Sequence, residues 1–135
     1  MELAYEAATS TLSVRWSDDL SVESPLFFET IVSLFATIHE KRVTNLLVNS
    51  GIPSGGVLTE EVINYFIRHI PDTPLQNIAI LESPDYLWDD NLYKVITLLV
   101  STFQLPISVK LVASRAVGSE WISSLCCQST KDEAV

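Results

Sequence analysis

Cysteine is scarce in this sequence, and the two that occur, Cys126 and Cys127, are adjacent. Neighbouring thiols cannot staple distant segments together, and no spaced second pair completes a zinc site. Reduced thiols in a cytosol fit that usage. Glycine and proline are also few, at four and six in 135 residues, while hydrophobic residues make up 47% and charged residues 19%. That balance excludes a disordered or low-complexity chain, because apolar burial can offset the entropy of ordering it. The length suits one domain burying roughly two-thirds of its unfolded surface.

Basic residues are in short supply too: 8 Lys and Arg stand against 17 Asp and Glu, for a formal charge of −9. No stretch gathers the cations into a patch that could neutralise phosphates, so nucleic acid is excluded as the expected partner. A long hydrophobic run is missing as well. The uncharged stretch Val95 to Val109 contains Gln104 and Pro106 and falls short of the ~20 residues that a membrane-spanning helix needs. The amino terminus carries Glu2 and Glu6 where a secretory signal needs a basic start before an apolar stretch. A cytoplasmic protein without a membrane span is the expectation. No cofactor fingerprint is present: Gly51, Gly55 and Gly56 do not make the dinucleotide pattern, and no Gly-Lys-Ser/Thr follows them.

What is there is alternation of two kinds. Leu3 to Ala7 and Thr11 to Trp16 alternate apolar and polar residues around Ala8-Thr9-Ser10, which predicts a hairpin with Leu12, Val14 and Trp16 on one face. Ser24-Pro25 opens a helix with Phe27, Phe28, Ile31, Val32, Leu34, Phe35 and Ile38 as its apolar stripe. Leu46-Leu47-Val48 and Ile78-Ala79-Ile80-Leu81 have the look of strands covered on both faces. Thr59 caps a second helix with Val62, Phe66, Ile67 and Ile70 on one side, and Pro71-Asp72-Thr73-Pro74 ends it. A third helix runs from about Asn91 to Phe103, a strand from Pro106 to Val112, and a last helix from Ser114 packs Val117, Trp121 and Leu125 against the sheet. The order ββαβαβαβα predicts an α/β fold: a single, mostly parallel five-stranded sheet with one antiparallel strand and helices on its faces. Residues 1–127 form that domain and 128–135 a flexible polar tail.

This order resembles the anti-sigma-factor antagonist or STAS family, particularly the small bacterial SpoIIAA-like variants grouped with lipid-binding SEC14-like domains. The residues carrying the likeness are Tyr5-Glu6 with Leu12-Ser13-Val14-Arg15-Trp16, then Asn45-Leu46-Leu47-Val48-Asn49, then Glu120-Trp121-Ile122. The resemblance implies a cytoplasmic interaction or small-ligand domain without chemistry of its own. It also implies a phosphorylated serine after the central strand. Ser54 is the nearest match and Ser50 the next, although the family's Asp-Ser-Ser-Gly pattern is absent. A phosphate at a helix mouth would meet free backbone N–H groups and the positive dipole end.

Other candidate chemistry is sparse. His39 and His69 fall near helix C-termini, where the dipole favours a partly charged imidazole. Glu82, Asp85, Asp89 and Asp90 cluster after a strand, at the edge where open parallel sheets bind ligands, but match no calcium loop. Trp16 and Trp121 read as core, whereas Tyr86 and Trp88, beside Asp89 and Asp90, read as a docking site. The expectation is therefore a non-enzymatic domain, without cofactor or metal, that binds a protein partner. Its contact surface would be the loops holding Asn49, Ser50, Gly51, Ser54, Gly55 and Gly56, and then Tyr86 to Asp90. The alternative is a carrier for an apolar small molecule, motivated by the phenylalanine-rich first helix. The oligomeric state is left open.

Overall fold

The computed structural model describes residues 2–15, 25–49, 59–82 and 86–134, with the side chains of 86–89 and 125–134 outside the description. Two hairpin strands come first, β1 (Glu2–Glu6) and β2 (Thr11–Arg15). Then follow α1 (Pro25–Lys41), β3 (Asn45–Asn49), α2 (Glu60–His69), β4 (Asn77–Leu81), α3 (Tyr86–Thr102), β5 (Ser108–Val112) and α4 (Arg115–Ala134). The architecture is α/β, as the periodicities predict. The helix α3 starts five residues before Asn91, so Tyr86 to Asp90 belong to its opening turns. The backbone of α4 stays helical through residues 128–134, where the sequence predicts a tail.

Strand order in the sheet equals chain order, β1-β2-β3-β4-β5, with β1 antiparallel to β2 and the other pairs parallel. A sheet that grows in one direction through right-handed crossovers must place its connecting helices on one face. The packing agrees. Leu12, Val14, Leu46, Val48, Ile78 and Ile80, at alternate strand positions, join α1, α2 and α3 in one large core. The residues between them point the other way, where Leu47, Ala79 and Val112 meet Ile122 of α4 in a smaller cluster. Three helices thus cover one face and α4 alone covers the other.

Local chemistry explains each element. In α1, Phe27, Ile31, Leu34, Phe35 and Ile38 are buried at helical spacing, while Val32, one position off the stripe, is exposed. In α2 the Thr59 side chain accepts from the Val62 N–H at 3.4 Å, Glu60 and Glu61 suit the positive dipole end, and Val62, Phe66 and Ile70 are buried. Ile67, expected on that side, faces outward.

The packing face of α4 also differs from expectation. Val117 is 42% exposed, and the contact runs through Gly118, Trp121 and Ile122 instead. A Cβ at position 118 would lie 2.7 Å from Leu47 Cδ1 and 3.3 Å from Val112 Cγ2. Glycine is what lets this helix lie close to the strands. Trp16 and Ser24 lie outside the described residues, as does the side chain of Leu125.

Candidate binding site

The helix α4 packs on β3, β4 and β5, so among the described residues no helix covers that face of the sheet over β1 and β2. An open trough of about 480 Å³ lies there, bounded by the carboxyl ends of β2, β3 and β4 and by the start of α4. Its volume falls within the range of small-molecule sites, about 300–1,000 Å³. Leu3, Ala4, Val14, Leu47 and Leu81 supply its apolar lining. Ser13, Arg15, Asn49 and Arg115 supply the polar lining, with Glu2 as the one acid.

The sheet's pleat puts these groups together. Ser13 and Arg15 alternate with Leu12 and Val14 on β2, so burying the latter pair turns the former to the other face. Register sets Glu2 beside Arg15, and Arg15 beside Asn49 on β3. Arg115, the first residue of α4, reaches back across 102 residues of sequence to donate from Nη2 to Ser13 Oγ at 3.5 Å. Ser114 caps the same helix, its Oγ accepting from the Val117 N–H at 3.3 Å.

Among the residues singled out from sequence, Asn49 is the one the structure brings into this trough. Ser50, Gly51, Ser54, Gly55 and Gly56 lie outside the described residues. They follow Asn49 in the sequence. Tyr86, Trp88 and Asp89 sit in the first turns of α3, and their side chains fall outside the description. Asp90 is half-buried and accepts an ion pair from Lys94 Nζ at 2.9 Å, one helical turn on.

Sequence reasoning missed Ser13, Arg15 and Arg115. The polar phase of β2 was the signal for the first two. For the third it was a cation placed straight after a serine cap.

The histidines and Trp121 lie away from the trough. The His69 ring lies 4.1 Å from that of Tyr65, in an aromatic group with Phe28, Phe35 and Phe66 between α1 and α2. His39 is exposed on α1. Both histidines therefore ride on helices of the opposite face from the trough. Trp121 is half-buried against the α4 cluster, with Lys110 Nζ 5.7 Å from its ring centroid. Among the described residues no three His, Cys, Asp or Glu side chains gather where a metal could be held, and no helix is long and apolar enough to cross a membrane.

Between the sheet and α1 to α3, a wholly apolar void of about 30 Å³ lies among residues such as Phe35, Leu46, Phe66 and Ile96. That is room for about one water-sized body, and an apolar cavity of this kind stays dry. The chain matches no family model, no curated protein and no solved structure. Its functional reading therefore comes from the sheet and the trough themselves.

Proposed function

We propose that this chain is a non-catalytic, STAS-like binding domain of the cytoplasm that takes a protein partner at the carboxyl end of its parallel strands, on the side of α4. The observation carrying this reading is the open trough where β2, β3 and β4 end beside the start of α4. In sheets that reverse strand order, ligands sit in the crevice at the reversal. Here the parallel strands run in one unbroken order, and the incomplete cover by α4 supplies the concavity instead. The connections 50–58 and 83–85 leave from that same end, and these are the segments a partner would meet.

The test is affinity purification with the intact chain and with residues 50–56 and 83–90 scrambled. Loss of partner with an unchanged circular dichroism spectrum supports the assignment, and full retention by the scrambled chain removes it. The alternative, a carrier of an apolar small molecule, is tested by native mass spectrometry of freshly purified protein, in which a co-purified fatty acid would support it and a clean apo mass would count against it.

A further inference from the structure

A helix start carries partial positive charge from its unpaired N–H groups, so acids are favoured there and cations disfavoured. The helix α2 obeys this, with Glu60 and Glu61 in its first turn. The helix α4 breaks it: Arg115 is its first residue, and its first turn holds no acid. A second guanidinium, Arg15, lines the same trough. Two of the eight Lys and Arg residues in a chain of net charge −9 thus meet at one concavity, beside a positive helix end. Local rules broken together in this way mark places where something other than stability is served.

Arginine forks match the paired oxygens of phosphate and carboxylate, and a helix start adds backbone N–H groups to such a site. We propose that the trough binds a small organic oxyanion, a phosphate ester or a carboxylate, held by Arg15, Arg115 and the first turn of α4. The Asn49 amide and Ser13 hydroxyl border the same space, and Ala4 and Leu47 would take the carbon part of the ligand. This goes beyond the protein-partner reading, with which it shares the trough: the described lining lies on strands β1 to β4 and α4, so scrambling the loops and titrating the trough test the two readings separately.

The experiment is a ¹⁵N–¹H NMR titration of the full chain with inorganic phosphate, glycerol 3-phosphate and citrate, each against sodium chloride at equal ionic strength. Saturating shifts at Ser13, Arg15, Asn49 and Arg115 are expected with an organic probe. They should weaken at least tenfold in Arg15→Gln and in Arg115→Gln. Shifts that never saturate, that chloride reproduces, or that survive in the double variant overturn the proposal. So does inorganic phosphate binding as tightly as either organic probe. A flat titration overturns it as well, including the case in which Glu2, the one acid in the lining and the register neighbour of Arg15, already occupies its guanidinium group. The ligand-free Arg115→Gln chain should melt at the same temperature as the parent or about 1–3 °C higher, since a charge conflict is relieved. A clear fall in Tm would make Arg115 a structural residue and sink the assignment.

Discussion

Among the described residues, the two ends of this sheet are tied in different ways. At the amino end of the parallel strands, backbone groups hand over from one strand to the next. Asn45 N–H donates to Ser10 O at 3.1 Å, Asn77 N–H to Thr44 O at 3.1 Å, and Ser108 N–H to Gln76 O at 2.8 Å. Side chains follow the same line: Asn45 Nδ2 donates to Thr9 O at 2.7 Å, and Asn77 Nδ2 to Asn45 Oδ1 at 2.9 Å. The helices entering this end also finish tightly. Val43 N–H donates to Ile38 O, and Leu105 N–H to Val100 O, both at 3.0 Å, around left-handed residues Arg42 and Gln104. At the carboxyl end, among the described residues, the matching backbone tie is Glu82 N–H to Val112 O at 2.8 Å. Among the described residues, polar groups at the amino end bond one another, whereas at the carboxyl end Ser13, Arg15, Asn49 and Arg115 border the trough. A scaffold fixed at one end leaves the other for recognition.

The sharpest way to break this comparison is to remove an amino-end group. Asn45 is buried and bonded on both sides of its amide, so Asn45→Ala should cost about 2–4 kcal/mol by denaturant unfolding, since Thr9 and Asn77 lose their partner. Next comes Gly118→Val, which forces branched carbons against Leu47 and Val112 and should cost about 1–3 kcal/mol as overpacking. It should also perturb the amide spectrum around the trough, because Leu47 lines both. Gln104→Gly should raise stability by about 1 kcal/mol, because glycine takes the φ of 51° there without strain. Arg15→Ala, at the exposed carboxyl end, should stay within about 0.5 kcal/mol of the parent. If Arg15→Ala and Asn45→Ala cost the same, the two ends are not different in kind. Hydrogen exchange sharpens the contrast further: the amides of Asn45, Asn77 and Ser108 should exchange more slowly than that of Glu82.

The fold was largely legible because each element carries its own signal. The alternation of Leu12 and Val14, the stripe from Phe27 to Ile38 and the Thr59 cap are local facts, read within a few residues. Strand partners are not local, and nothing in the sequence says that α4 crosses to the face the other helices leave bare. Arg15 and Arg115 become neighbours of one trough only through that crossing, so neither stood out alone. Val117 was the apolar choice for the α4 contact, yet closeness mattered more than hydrophobicity and Gly118 faces the strands. Asn49 was legible as a candidate because strand ends of parallel sheets are where ligands sit, and it borders the trough.

Leu47 serves two neighbours at once: its Cδ1 fills the space a Cβ at position 118 would need, and its side chain belongs to the wall of the open trough. An occupant of the trough and the close-packed start of α4 would therefore share one side chain, so a change on either side of Leu47 is felt on the other.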